Sequence, residues 1–282
     1  MLIAVSPSAS QDWKVAPTWL HRYAPEVADQ AVDLSAGACH YKPIFGEGDA
    51  EARSLQTVLR FGELAVGAHG ACTDVEYPRQ EEIYFVLEGS GTLHYAEQTR
   101  DIRQNDFTYL PPAVRHGLSN SASQPLRVAL ITLRIPDDIS LFAPPAAPAV
   151  ANLDELKEQT VEGHPASVLY KVLIGPRTGT RDRINAAYIL TDFFLMDFAP
   201  GGTNFPHHHE AAEEIYLVLD GEGQMVAGGG IDGIEGRHPA KAGDAYYFRP
   251  NCTVGFYNRS APGAKAHILA VRARVPLPRN PD

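Results

Sequence analysis

Short apolar runs rich in β-branched and aromatic residues recur along the chain, most of them closed by Gly, Pro or Asp. IYFVLEG (83–89), TLHYA (92–96), DFTYLP (106–111) and LRVALITLRI (126–135) occupy the first half. YILTDFFLMDF (188–198), IYLVLDG (215–221), AYYFRP (245–250) and HILAVRARV (267–275) occupy the second. Runs of this length and composition predict strands, and many short strands with Gly/Pro punctuation predict a sandwich or barrel rather than βαβ units. Only NLDELKEQTV (152–161) reads as a helix, with Asn152 as its cap and Glu155 three residues on. The expected class is all-β with few short helices.

The runs repeat. EEIYFVLEGSGTLHY (81–95) matches EEIYLVLDGEGQMVA (213–227) at an offset of 132 residues. NDFTYLPPAVRHGLSN (105–120) matches GDAYYFRPNCTVGFYN (243–258) at an offset of 138. The second copy therefore gains six residues, which fall in the Gly-rich stretch 228–243 and read as a loop. Two tandem barrels follow: an N-terminal extension over 1–50, a first barrel over 51–140, a Pro/Ala-rich linker with the short helix over 141–165, and a second barrel over 166–282. Residues 1–50 show little pattern. They offer edge strands to cover a barrel or a dimer partner, so a homodimer is among the expected assemblies.

Composition narrows the function without naming it. The 282 residues are 44% hydrophobic and 21% charged, as in an ordinary globular chain. No apolar run approaches a membrane span, and the N-terminus MLIAVSPSASQDW lacks the basic region of a secretory leader. The formal charge of −10 disfavours nucleic acid and anionic membrane as partners and leaves a small molecule. Cys39, Cys72 and Cys252 are widely spaced. They are not expected to form a disulfide framework, and a reducing, cytoplasmic location is expected.

The chemistry concentrates in GGTNFPHHHEAAEEIYLVLDG (201–221). His207 and His209 are two apart, so in an extended strand their imidazoles share a face while His208 points away. Glu214 follows at the start of the next strand. Two imidazoles and a carboxylate form a facial triad that holds one divalent ion (Fe, Mn, Zn or Ni) and leaves positions open for a ligand. Arg237, His238 and Lys241 flank the insertion and offer a basic substrate rim. GGGIDG lacks the strand-to-helix context of a phosphate cradle. No cofactor-binding or catalytic residue is assigned.

At these residues the chain resembles the cupin superfamily, specifically a bicupin. Gly201, His207, His209, Glu214 and Gly221 satisfy the first cupin motif, G(X)5HXH(X)4E(X)6G. Against the second motif, Asn105, Pro111, His116 and Asn120 match in the first copy, with Asn105 and Ala113 replacing its glycines. In the second copy Gly243 and Asn258 remain, but Arg249 stands for the proline and Val254 for the late histidine. The resemblance implies a metal site of three His and one Glu, and neither copy is complete. The second keeps His207, His209 and Glu214. The first keeps Glu82 and His116 but has Val75 and Tyr77 at the early histidine positions, so the Glu82, His116 and Tyr77 set is expected to be metal-free. His94 could join that set, although a hydrogen-bonded structural histidine is the plainer reading. Cys252 reads as a small hydrophobe and His267 as undecided. The implied function is a metal-dependent enzyme on a small oxygenated or carboxylated molecule, with a dioxygenase slightly ahead. The alternatives are a non-oxidative isomerase, decarboxylase or hydrolase, or a non-catalytic storage-type bicupin.

Overall fold

The structure is a computed structural model that describes residues 18–49, 55–229 and 235–275. The leader reading at the N-terminus, most of GGGIDG and the chain past residue 275 lie outside the described residues. The chain is nearly all β. A six-stranded sheet runs Ala149–Asn152, Asp106–Leu110, Gln80–Glu88, Leu126–Arg134, Val58–Val66, Cys39–Gly46 in spatial order. A three-stranded sheet, Gln98–Arg103, Ser90–Tyr95, His116–Ser119, completes the first barrel. The second barrel has a seven-stranded sheet in the order Trp19–Tyr23, Asp244–Phe248, Ala212–Asp220, Ala266–Arg274, Leu190–Phe198, Val168–Pro176, Ile184–Ala187. Its small sheet is Glu235–Lys241, Glu222–Gly228, Thr253–Asn258. No helix of the described residues is long and apolar enough to cross a membrane.

The sequence repeat is also a repeat of register. Tyr95 pairs with His116 and Ala227 with Val254; Glu82 pairs with Leu110 and Glu214 with Phe248. Each pair is its counterpart moved by 132 and 138 residues, so the gap-free alignment holds in three dimensions. Left-handed backbone recurs at the same places. Ala113 (φ 59°) and Asn251 (φ 64°) are equivalent, as are Asn105 (φ 70°) and Gly243 (φ 91°). A positive φ at these turns explains why the cupin motif carries glycine there.

Period-two alternation divides each central strand between its own barrel interior and a core shared by both, three cores in all. In Gln80–Glu88, Tyr84 and Val86 enter the interior of the first barrel, while Ile83 and Phe85 enter a core shared with the second barrel. In Ala212–Asp220, Tyr216 and Val218 enter the second interior, and Ile215 and Leu217 the shared core.

Two buried carboxylates lock the shared core. Glu81 (0% exposed) accepts from the backbone N–H groups of Tyr188, Ile189 and Leu190 in the other barrel at 2.7–2.9 Å, and from the Tyr109 hydroxyl at 2.8 Å. Glu213 (0% exposed) accepts from Gln56, Thr57 and Val58 N–H at 3.0, 2.8 and 2.5 Å, and from the Tyr247 hydroxyl at 3.1 Å. Burial pushes both carboxyls above the usual carboxylate range, and the backbone and hydroxyl donors pull them back. Each barrel thus caps the start of a long strand of the other, Leu190–Phe198 or Val58–Val66.

The leading segments are exchanged as well. Trp19–Tyr23, which precedes the first barrel, pairs with Asp244–Phe248 of the second. Ala149–Asn152, which precedes the second, pairs with Asp106–Leu110 of the first. Each is followed by one 3-10 turn, Ala24–Glu26 or Leu153–Glu155.

Several expectations are corrected. The helix over 152–161 shrinks to Leu153–Glu155. Asn152 does cap it, accepting from Asp154 N–H at 2.9 Å. The chain beyond is pulled across the second barrel, where Gln159 pairs with Tyr170. Cys39–Gly46, within the N-terminal extension, is an edge strand of the first barrel's sheet, the role expected of that extension. Cys39 and Cys72 form a disulfide, 33 residues apart in sequence. The turn after Val66 returns the chain beside Cys39, with Gly67 N–H donating to Ala38 O. The argument from three reduced cysteines to a reducing compartment therefore fails; Cys252, which is buried, takes no part in that bond.

Truncating either lock strands three N–H groups and a phenol without acceptors, each worth about 1–3 kcal/mol when left unmet. Glu81→Ala or Glu213→Ala should each lower unfolding stability by about 3 kcal/mol or more, read from the urea midpoint, with the Gln variants intermediate. An Ala variant within about 0.5 kcal/mol of the parent would contradict the role.

Candidate metal centre

The two barrels treat the equivalent interior position differently. In the first, Glu82 and His116 are 1% and 2% exposed and pair directly, Nε2 to Oε2, at 2.7 Å. Thr132 donates to the other carboxylate oxygen at 2.5 Å, and His116 Nδ1 lies 2.8 Å from Val114 O. Tyr77 packs, partly buried, against the same interior. Its hydroxyl donates to Asp33 at 2.6 Å and accepts from Arg60 at 2.9 Å, and Arg60 also pairs with Glu47 at 2.5 Å. Glu82, His116 and Tyr77 lie together, and each has a polar partner. His94 lies outside it, bonded to Asp74 at 3.0 Å and Ser119 at 2.9 Å.

In the second barrel His207, His209 and Glu214 converge, with one ligand atom from each lying within 4.8 Å of the others. The segment carrying the histidines is not a regular strand. It is extended and tied at both ends: His207 pairs with Val254, and Asn251 N–H donates to His209 O at 2.8 Å. His208 is exposed. His207 Nδ1 lies 2.8 Å from Phe205 O, which leaves Nε2 with its lone pair. His209 Nε2 is 3.4 Å from Glu214 Oε2. Burial pushes the His209 imidazole down to about 3, helped by the Arg272 guanidinium, and lowers His207 too. Burial also pushes the Glu214 carboxyl up to about 7 against the pull of Arg272. Two neutral imidazoles facing a buried carboxyl form a donor set suited to a divalent cation.

Orphaned polar atoms make the same point. Glu214 Oε2 and the Tyr170 hydroxyl are both buried without a hydrogen-bond partner. Both residues line a cavity of about 30 Å³, room for an ion with one or two water-sized ligands. Unpartnered buried atoms are rare; the Tyr41 hydroxyl, counterpart of Tyr170 in the first barrel, is another, so Glu214 Oε2 is the orphan specific to the second barrel. These residues fit a metal.

Sequence reasoning missed most of the surroundings. His164 lines the cavity, its ring centroid 5.0 Å from that of His207, with Nδ1 3.1 Å from Asn204 O. Arg272 lies 2.9 Å from His209 Nε2 and is held by Asp192 at 2.9 and 2.5 Å. Arg181 bridges Asp192 (2.5 Å) and Asp182 (2.8 Å). A signal for Tyr170 existed: YKPIFG (41–46) and YKVLIG (170–175) repeat at an offset of 129. The expected basic rim is a correction. Arg237 and His238 lie on the strand Glu235–Lys241 rather than a loop, and neither lines the cavity. Arg237 stacks over Tyr257 at 4.3 Å and His238 packs against Trp19 at 4.3 Å. His267 faces outward, 3.6 Å from both Asp197 and Asp220.

A cupin domain model matches residues 63–132 and 194–271, and the chain belongs to that family, as a bicupin. Solved structures with the same two-barrel fold include a Pseudomonas aeruginosa protein described as glyoxylate-induced, at 14% identity with a TM-score of 0.73, covering 94% of this chain and 92% of that one. An oxalate decarboxylase of Lactobacillus farciminis is similar at 12% identity and a TM-score of 0.65, covering 92% and 86%. Procruciferin, an 11S globulin of Brassica napus, gives 12% and 0.63, covering 88% and 84%. An uncharacterized protein of Methanocaldococcus jannaschii is 33% identical over 48 residues. That match spans 17% of this chain and only 38% of the relative.

The first barrel supplies a pH test. Burial alone would lower the His116 pKa, but the hydrogen bond and charge of Glu82 outweigh it and hold it above the ordinary value. The pair's contribution is fully present below about 6.5, where unfolded His is protonated too, and is lost as pH rises through the higher folded pKa. The stability gap between the parent and His116→Gln should therefore be wider near about pH 6 than at alkaline pH, shrinking as pH rises through the raised folded pKa. A gap that widens with pH would exclude a protonated His116.

Proposed function

We propose that this bicupin is a metal-dependent enzyme acting on a small carboxylated or oxygenated molecule, with one divalent ion in the second barrel held by His207, His209 and Glu214. The observation that carries the reading is the buried, unpartnered Glu214 oxygen beside two neutral imidazoles. A divalent ion there supplies Lewis acidity and open coordination positions to the bound molecule. Glu214, Asp192 and Asp182 set three negative charges against Arg272 and Arg181, so an added dication leaves one positive charge, which suits a monoanion. Arg272 is placed to orient a carboxylate. The Tyr170 hydroxyl has a proton and no acceptor, and burial beside Glu214 raises its pKa. It is positioned to donate to an oxygen of the bound molecule. The fold likeness to an oxalate decarboxylase supports a small carboxylate as the substrate class.

Dioxygen-dependent chemistry remains first within this class, because Val254 stands at the fourth-ligand position and leaves it for an exchangeable ligand. Non-oxidative proton-transfer chemistry is the second reading, favoured by Tyr170. Dioxygen uptake by anaerobically purified protein, given small carboxylates and diketones, separates the two.

Elemental analysis of untagged protein should find about one divalent ion per chain, with His207→Ala and Glu214→Gln each losing at least about tenfold in affinity. Full occupancy in both variants would refute the site. His116 reaches Glu82 from the position equivalent to Val254, so Val254→His should reach Glu214 and tighten metal binding. Tyr170→Phe should leave metal content unchanged. It should weaken formate binding to the cobalt-loaded protein by about fivefold, followed in the visible spectrum. Unchanged formate affinity would remove Tyr170 from the site.

A further inference from the structure

The two barrels are clamped at one end of their shared core and open at the other. Glu81 and Glu213 sit at the starts of Gln80–Glu88 and Ala212–Asp220. Six residues on, about 20 Å along an extended strand, Leu87 and Leu219 line a cleft of about 650 Å³. That volume is in the usual range for small-molecule sites. The walls come in pairs related by the repeat. Phe85 and Leu217 differ by 132 residues, and Lys42 and Lys171 by 129. The cleft therefore straddles the pseudo-twofold axis. It lies on the side of the central strands opposite the barrel interiors, because Phe85 and Leu217 belong to the shared core, whereas Glu214 faces the metal centre.

Its lining sets Lys42, Arg127 and Lys171 against Glu63 and Asp220. Arg127 is engaged by Glu63 at 2.7 and 2.9 Å and by Glu88 at 2.9 Å, and His267 lies between Asp197 and Asp220. The two lysines are left over. Lys171 donates one hydrogen bond, to Leu153 O at 3.2 Å, and has no carboxylate partner. Lys42 has no ion-pair or hydrogen-bond partner among the described residues. Two repeat-related ammonium groups, neither in contact with a carboxylate, thus stand over an apolar floor.

We propose that this axial cleft is a second binding site, for a small organic anion with an apolar body, whose acidic head meets Lys42 and Lys171 and whose body lies between Phe85 and Leu217. The site takes one ligand per chain, because the axis passes through it once. It is independent of the metal reading.

The probe is 8-anilinonaphthalene-1-sulfonate, an apolar bicycle with one fixed negative charge, titrated into the full chain. The fluorescence rise should saturate at one probe per chain and be displaced by octanoate. Lys42→Met keeps the apolar stem and should weaken the sulfonate about fivefold, while the uncharged N-phenyl-1-naphthylamine binds as before. Leu219→Trp, which fills the cleft from its half-buried rim, should weaken both probes. Glu214→Gln should alter neither. Non-saturable binding, binding insensitive to both Lys42→Met and Leu219→Trp, or a concentration-dependent dimer that excludes the probe would each overturn the proposal. In the last case a second copy of the chain covers the cleft.

Discussion

Two carboxylates with no exposed surface hold the molecule together across its pseudo-twofold axis. Each reaches out of one barrel and collects three consecutive backbone donors from the other, with a tyrosine completing the set. The donors stand at the entry to a long strand, where N–H groups would otherwise be buried without acceptors. Everything downstream inherits this constraint. It fixes which face of each central strand points outward and, by period-two alternation, sends the next glutamate, Glu82 or Glu214, into a barrel interior. The chemistry of each barrel hangs one residue away from the clamp between them.

From that common frame the two interiors diverge by a handful of side chains. In the first, a histidine on the strand opposite Glu82 satisfies the carboxylate, and Tyr77, bonded to Arg60, packs against the same interior. In the second, valine replaces that histidine, so Glu214 keeps an unspent oxygen, and of the early histidine pair His207 keeps the Nε2 lone pair free while His209 Nε2 faces Arg272. The guanidinium also changes place, from Arg60 on the strand Val58–Val66 to Arg272 on Ala266–Arg274. In one interior the glutamate is fully engaged, and in the other it keeps an oxygen without a hydrogen-bond partner.

The repeat made the architecture legible, because strand residues tolerate few alternatives once both faces are buried. EEIYFVLEG and EEIYLVLDG announced both the barrels and the position of Glu214. Less legible were features set by distant chain crossings. Asn152 was read correctly as a cap, but the helix it should start is overridden when the chain is drawn across the barrel to pair at Tyr170. Arg237 and His238 read as a loop because glycine precedes them, yet they continue a hairpin from Glu222–Gly228. Arg272 and Asp192 carry no motif at all; only pairing across three strands brings them to the triad. The Cys39–Cys72 bond depends on a return of the chain that no local pattern encodes.

The exchanged leading strands have a consequence for what counts as a unit here. Trp19–Tyr23 belongs by sequence to the first repeat and by hydrogen bonding to the second; Ala149–Asn152 has the opposite allegiance. A chain cut between the repeats would give two halves, each lacking an edge strand and an acceptor for its buried amides, and each carrying the piece the other lacks. The molecule is in effect an arm-swapped dimer whose two protomers share one polypeptide. Covalent linkage sets the local concentration of each half for the other, and it frees the two copies to differ. One interior could lose its open carboxylate while the other kept it, an asymmetry that identical subunits could not sustain.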